Sequence, residues 1–457
     1  MNDQIPGSGH APGHAPEPGS GPVSDDDGPV PGYLDYARVG PLAPEAVAAS
    51  AAAIALARRA GPAELDRLFA LSDAARASAA RLLGAQPHEI ALVPSTSNGL
   101  FTAAAALQGP GTVLVPRGEF PANVYPWLRF AGRGGPDVRL VEPDGHRRIS
   151  ADLLRRHLTP EVTALTVSAV DSLTGHLAPL GALKEILGPD RLLIVDAIQG
   201  LGAVPLETDA ADVLVSGGQK WLRAGWGAAL LLIRDRCAER LLPGLGGWAG
   251  VTEPFAERHP APALPGAAAH LATNPDFPAA AALGAAVDGL LAQGGPAAVG
   301  DRIRATLAEL LDRARRAGAE VLLDGLGERE RAGIGTFRLP GHDPAAVHRT
   351  LEAAGVITTR RGEWIRLSPH LPTGTVAADL LAQALRPLAG SSRATLPTAL
   401  PAPPVSPVPP LPKALPSLPS DTPLTPLSPV TPLSPVTPLN SVNPLNPPSQ
   451  EPTCPTT

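Results

Sequence analysis

From residue 90 onward the chain carries short, continuous apolar runs bounded by turn residues. They read IALV at 90–93, TVLVP at 112–116, VRLVEP at 138–143, VTALTVSAV at 162–170, LLIV at 192–195, VLV at 213–215 and AALLLI at 228–233. Short runs without polar alternation predict strands buried on both faces. Helix-compatible segments separate several of them, and strands alternating with helices predict a mostly parallel sheet. Ahead of the first run, a helix is expected to begin near Pro44, a residue suited to a first helical turn.

From about Ala279 the pattern becomes a long Ala- and Leu-rich helical region, followed by shorter strand candidates GTFRL at 335–339, GVITTR at 355–360 and EWIRLS at 363–368. This predicts a smaller α+β domain. Both ends lack apolar patterning. Residues 1–31 are rich in Gly, Pro, His and Asp, and residues 391–457 are dominated by proline, with TPLSPV at Thr425 and again at Thr431. Such compositions predict polyproline II or disorder. The expected organisation is a tail (1–31), an N-terminal segment with a large domain (32–278), a small domain (279–390) and a second tail (391–457).

Composition narrows the function. The chain has 457 residues, a net charge of −6 and a pI near 6.0, with no basic block to hold nucleic acid or an anionic membrane. A small-molecule partner is expected instead. Two cysteines, Cys237 and Cys454, build neither a disulfide framework nor a cysteine-based metal site. No basic leader precedes an apolar run, and no apolar stretch approaches the ~18 residues of a membrane span, so a cytoplasmic location is expected. The HAPGHAP segment around His10 could bind metal only loosely. GLGGWA at 244–249 imitates a dinucleotide fingerprint, but no strand leads into it.

Candidate chemistry gathers where the apolar runs end. Ligands of open α/β sheets collect outside the carboxyl ends of the strands. Asp196 closes one run there, and Lys220 lies just past another, in GGQKW. Alone, Asp196 reads equally as a cap or as a buried acid needing a cationic partner such as a pyridinium nitrogen. Alone, Lys220 reads as a surface lysine or as a desolvated Schiff-base amine. PSTSNGLF sets Ser95, Thr96, Ser97 and Asn98 before a helix, either as a plain cap or as a phosphate cradle. Together the three fit pyridoxal phosphate.

The order STSNG, GEFPANVYPW, VSAVDSLTG, VDAIQ, SGGQKWL and WIRLSPH resembles the class V aminotransferase family of fold-type I enzymes, over nearly all of residues 33–390. That family includes cysteine desulfurases, kynureninase and isopenicillin-type epimerases. The resemblance implies a large domain with a mostly parallel sheet, a smaller α+β domain, and a homodimer. It implies that Lys220 forms the Schiff base and shuttles the Cα proton, and that Asp196 pairs the pyridinium nitrogen. Gln199 and Ser172 would reach the phenolic oxygen, Thr96, Ser97 and Gln219 the phosphate region, and Phe120 would stack on the ring. Arg366 would clamp a substrate carboxylate, with Arg360 and Arg361 as further candidates. Thr273 or Asn274 would reach a partner subunit's phosphate.

Two departures stand out. Phe120 replaces a titratable histidine of the desulfurases and cannot transfer a proton. The loop in which those enzymes keep a catalytic cysteine reads RRGE at 360–363, and Cys237 reads as a small buried hydrophobe. The implied activity is a pyridoxal-phosphate enzyme acting on an amino acid or similar small amine. Aminotransferase leads, and β-elimination or epimerisation are alternatives. The reading from another class is a catalytically silent scaffold that recruits partners through the proline-rich tail.

Overall fold

The computed structural model describes residues 29–389 apart from 257, 258 and 323. The expected C-terminal tail with its repeats and Cys454, and all of the expected N-terminal tail but residues 29–31, lie outside the described residues, as does HAPGHAP.

Each apolar run forms a strand. β1 (Ile90–Val93), β2 (Thr112–Pro116), β3 (Asp137–Val141), β4 (Val162–Ser168), β5 (Leu192–Asp196), β6 (Val213–Gly217) and β7 (Ala229–Ile233) make one sheet in the order β1-β7-β6-β5-β4-β2-β3. The pairs from β3 across to β6 are parallel, and β7 runs antiparallel to both neighbours. Successive side chains on a strand point to opposite faces. Leu193 and Val195 accordingly join one core and Leu192 and Ile194 the other. Burial on both faces is why the inner strands show no polar alternation, whereas β3, expected to be buried on both faces, is an edge strand in which Leu140 is 37% exposed and only Val141 is buried.

Helices cover both faces. α1 (Pro44–Ala57) and α2 (Pro62–Leu83) precede the sheet, while α3 (Thr96–Ala106), α4 (Tyr125–Phe130), α5 (Ala151–His157), α6 (Leu180–Leu187) and α7 (Asp235–Ala238) follow β1, β2, β3, β4 and β7. The helical region expected from Ala279 is two helices, α8 (Phe277–Ala292) and α9 (Gly295–Arg316). They part at Gly294 and Gly295, whose φ values of 93° and 69° only glycine adopts readily. α8 packs on α1 and α2.

A second, antiparallel sheet has the order β10-β11-β9-β8, formed by β8 (Glu320–Val321), β9 (Gly335–Arg338), β10 (Thr359–Arg361) and β11 (Trp364–Leu367). With α9, α10 (Pro344–Ala353) and α11 (Thr375–Leu385) it encloses a core around Phe337, Ile365, Leu310, Leu351 and Leu381. Leu34 belongs to the same core. The N-terminal segment lies along this sheet: Leu34 N–H donates to Ile357 O (3.0 Å), Ser368 N–H to Leu34 O (2.8 Å) and Tyr36 N–H to Ser368 O (3.1 Å). Ile357 therefore pairs with Tyr33, and only the end of the GVITTR run is strand β10. No helix among the described residues is long and apolar enough to cross a membrane.

The helix start that faces the site is set by one close approach. A Cβ at Gly99 in α3 would lie 2.4 Å from Val215 Cγ1 on β6. Gly99→Ala should therefore cost about 1–3 kcal/mol as α3 is forced off the sheet. Urea unfolding of the two proteins measures this directly, and an unchanged midpoint would show that the helix has room to give.

Candidate active site

The carboxyl ends of β4, β5 and β6 lie side by side, and the residues that follow them converge. At β1's end, Ser95 caps α3 by accepting the Asn98 N–H (3.2 Å). Thr96, buried on the first turn, accepts the Gly217 N–H through Oγ1 (2.9 Å), which leaves its own hydroxyl proton to donate. A Cβ at Gly217 would lie 2.9 Å from Thr96 Oγ1 and 2.2 Å from Gln219 Oε1, so the polar ends of Thr96 and Gln219 close in on the Gly217 backbone. Ser97 is exposed on the same turn. The first N–H groups of an α-helix have no intrahelical partner and favour an anion.

Asp196 ends β5 with 2% exposure, and its Oδ1 accepts the Ile198 N–H (3.1 Å). Lys220 Nζ stands 5.6 Å from the centroid of the Phe120 ring, which is itself 46% exposed. Burial pulls the Lys220 amine down to about 8, although Asp196 opposes the shift, and Arg366 and Arg361 add to it. Burial likewise pushes Asp196 up to about 6, against the Ile198 N–H and Lys220. For both groups desolvation outweighs mutual attraction. The turn carrying Lys220 is pinned by the N-terminal segment: Gly40 N–H donates to Gln219 O (2.8 Å), and a Cβ at Gly40 would lie 2.0 Å from Lys220 O.

Arg366, 2% exposed, projects from β11. One terminal nitrogen donates to Ser172 O (2.8 Å) and the other to Asp35 Oδ1 (3.1 Å), while its Nε–H has no partner. Asp35 also accepts from Thr359 Oγ1 (2.7 Å). The guanidinium is thus oriented with donor capacity unspent. Gln199 is buried and donates to Ala37 O (2.9 Å) while accepting from Trp221 Nε1 (3.0 Å). Ser172, half-buried, meets Arg366 through its carbonyl. Arg361 is exposed but close enough to act on Lys220, whereas Arg360 turns to Gly362 O (3.0 Å).

The family model described as aminotransferase class-V matches residues 47–368. The chain belongs to the aminotransferase class-V family. It is 31% identical to a kynureninase of Deinococcus radiodurans over 48% of this chain; that match spans 54% of the relative, about half its length. It is 28% identical to the uncharacterized aminotransferase YcbU of Bacillus subtilis over 65% of this chain and 78% of that protein. The isopenicillin N epimerase of Streptomyces clavuligerus is 29% identical over 69% of this chain and 84% of the epimerase. Among solved structures, a cysteine desulfurase from Thermococcus onnurineus superimposes with a TM-score of 0.70 at 17% identity, covering 78% of this chain and 94% of that one. At that identity it speaks for the fold.

Class V aminotransferases are pyridoxal-phosphate enzymes, and the residues present fit that cofactor. At Gly217 the polar ends of Thr96 and Gln219 come too close to the backbone for a Cβ, beside a helix start, and the site also holds a buried acid and a half-buried amine of lowered proton affinity. Thr273 and Asn274 lie nearby: with Asn98, Thr102, Leu245 and His270 they line a cavity of about 290 Å³ beside the first turns of α3. Cys237, the cysteine among the described residues, is buried in the opposite core, and burial pushes its thiol up to about 11. GLGGWA is a loop running into a 3₁₀ turn at Trp248–Gly250.

Three contributors to this class V site escaped sequence reasoning. Asp35 is one, an acid set between Leu34 and Tyr36 in an extended segment whose burial was the only available signal. Glu119, directly before Phe120, is another. His370 is the third: its Nε2 lies 3.0 Å from Trp221 O, it accepts the Leu371 N–H, and burial pulls it down to about 3, so it is a neutral wedge between Tyr36 and Trp221.

Two outcomes follow from these charges. Asp35→Ala leaves Arg366 buried without its carboxylate and should cost about 3–5 kcal/mol in urea unfolding. Because Lys220 titrates near 8 when folded rather than 10.5, the folded protein binds fewer protons than the unfolded chain between those values. Stability should therefore rise as pH climbs through that window. Comparing urea midpoints at the two ends for the cofactor-free protein and its Lys220→Met variant checks this, and the variant should show a smaller rise.

Proposed function

We propose that the protein transforms an amino acid, or a closely related small amine, at its α-carbon, with transamination as the leading reaction. The observation that carries this reading is that Lys220, a half-buried amine of lowered proton affinity, lies within the field of Arg366, a guanidinium whose Nε–H is unspent. Bound pyridoxal phosphate would supply an electron-withdrawing ring that stabilises negative charge at the substrate α-carbon. Thr96, Ser97 and Gln219 would receive the phosphate, Phe120 would cover one ring face, and Asp196 would hold the proton of the ring nitrogen. Gln199 and Ser172 would reach the phenolic oxygen of the ring.

Arg366 would take the substrate carboxylate through Nε–H and a second hydrogen of one terminal nitrogen, side by side as a planar carboxylate prefers. With the carboxylate fixed, Lys220 Nζ would be the base for the α-proton. An amine lowered to about 8 is still mainly protonated at neutral pH, but it reaches its proton-accepting form far more readily there than an ordinary lysine. Phe120 does not compete for the proton.

β-Elimination and epimerisation use the same base and clamp, and remain the alternatives within the family. Persulfide chemistry has less support. Arg361 pairs with Trp364, so the β10–β11 turn consists of Gly362 and Glu363 and carries no thiol. A homodimer is favoured by exposed Trp226, Trp248, Phe255, Leu242 and Leu245, which a second copy would cover.

Incubating the holoprotein with a panel of amino acids separates the reactions. Transamination requires a 2-oxo acid acceptor and yields a new 2-oxo acid. Elimination releases ammonia without an acceptor, and epimerisation only inverts the substrate. Lys220→Ala should lower turnover at least about a thousandfold, and full turnover in that variant would refute the assignment.

A further inference from the structure

Two cavities meet at the hairpin that follows β4. Val170 pairs with Leu177, Asp171 N–H donates to His176 O (2.9 Å) and Ala178 N–H to Ala169 O (2.9 Å). The returning arm is held by a neighbouring segment, through Leu177 N–H to Glu330 O (3.0 Å) and Ala332 N–H to Gly175 O (2.9 Å). His176 is fixed between these arms with 5% exposure; the Glu330 backbone acts on the ring, but neither ring nitrogen meets a protein group in full hydrogen-bond geometry. A neutral imidazole carries one donor and one acceptor. Leaving both unsatisfied in a buried place is unfavourable.

On one side His176 lines a cavity of about 660 Å³ together with Arg148, Ser150, Arg156, Leu206 and Arg329. On the other it lines a cavity of about 20 Å³ shared with Gly118, Glu119, Ser168 and Asp171. That smaller space is large enough for one water molecule, and its walls offer the polar partners such a water needs. Glu119 accepts the Ser168 N–H (2.7 Å) and the Ser168 hydroxyl, and Ser168 stands opposite Asp196 in the β4–β5 register. Glu119 therefore sits between the small cavity and the acid that ends β5.

We propose that one water molecule in the small cavity bridges the Glu119 carboxyl to the His176 ring. Through it His176 acts as a positioning residue that governs the ionisation of Glu119 beside Phe120 and Asp196. In the ionised state the water donates one hydrogen to the Glu119 carboxylate and the other to the acceptor nitrogen of the ring, a hydrogen-bonded path that favours the charged carboxyl.

The surrounding charges are compatible with that path. Ser168, Asn123 and Asp196 face Glu119; burial pushes its carboxyl up to about 7, and the charge of Asp196 adds to the shift. Arg147 is bonded to Asp171 (3.0 Å) and to Gly118 O, and Arg117 lies 3.5 Å from Glu142, so neither cavity-lining arginine is paired with Glu119. Burial lowers His176, with Arg148 acting in the same direction and Asp171 and Glu330, the latter through its charge and its backbone, opposing, which favours a neutral ring with one nitrogen able to accept.

The bridge itself stands on the cavity; its consequence at the active site rests on the reading that Asp196 faces the cofactor ring. The test uses the holoprotein in two arms. A high-resolution crystal structure should show a water within hydrogen-bonding distance of both Glu119 and His176, and a dry cavity overturns the proposal. In the second arm, the visible absorbance of the bound cofactor and kcat/KM are followed against pH. His176→Phe, which keeps the ring shape but removes the hydrogen bonds, should raise the midpoint assigned to Glu119 by about one pH unit. His176→Gln should restore most of the shift, and Glu119→Gln should remove that step. If the Phe and Gln variants titrate alike, the positioning role is refuted. If purified wild-type protein shows no visible absorbance, the cofactor reading falls instead, and the crystal structure still decides the bridge.

Discussion

The contact between Asp35 and Arg366 holds the site together. Both side chains are almost wholly buried, and a buried charge without its partner is strongly destabilising. The pair lies 331 positions apart in sequence, so forming it requires the N-terminal segment to lie along β11. The same segment fixes Gln199 through Ala37 O and the Lys220 turn through Gly40, while Arg366 reaches across to the hairpin at Ser172. One ion pair thus joins the chain's first described segment, the second sheet and the carboxyl edge of the first.

Across that edge the balance is different. Asp196 and Lys220 are opposite charges within each other's field, yet burial moves each toward its neutral form. Their attraction is too weak to repay the loss of water from both. A pocket in that condition favours an occupant that supplies charge of its own, such as a protonated ring nitrogen for the acid and a carboxylate for the guanidinium.

Much of the fold was legible because burial on both faces leaves a mark that needs no partner: an unbroken run such as LLIV is recognisable wherever it occurs. The position of Asp196 at the end of such a run, and of Lys220 after GG, was legible for the same reason. The antiparallel course of β7 was not, since AALLLI reads the same in either direction. Nor were Asp35, Glu119 and His370, whose roles are created by residues hundreds of positions away or by cavities that close only when the sheets are packed. The division of the long helical region at Gly294 and Gly295 was visible as two adjacent glycines, but only their positive φ values reveal the break.

Leu34 sits in the core of the second sheet, and its carbonyl bonds Ser368, 334 positions later. Translation at about 5–20 residues per second keeps that segment waiting for tens of seconds before β11 leaves the ribosome. Until then the first sheet can assemble while the pair between Asp35 and Arg366 has yet to form. A half-synthesised chain therefore lacks the ion pair on which the proposed carboxylate clamp depends, and it forms only when the two distant stretches meet.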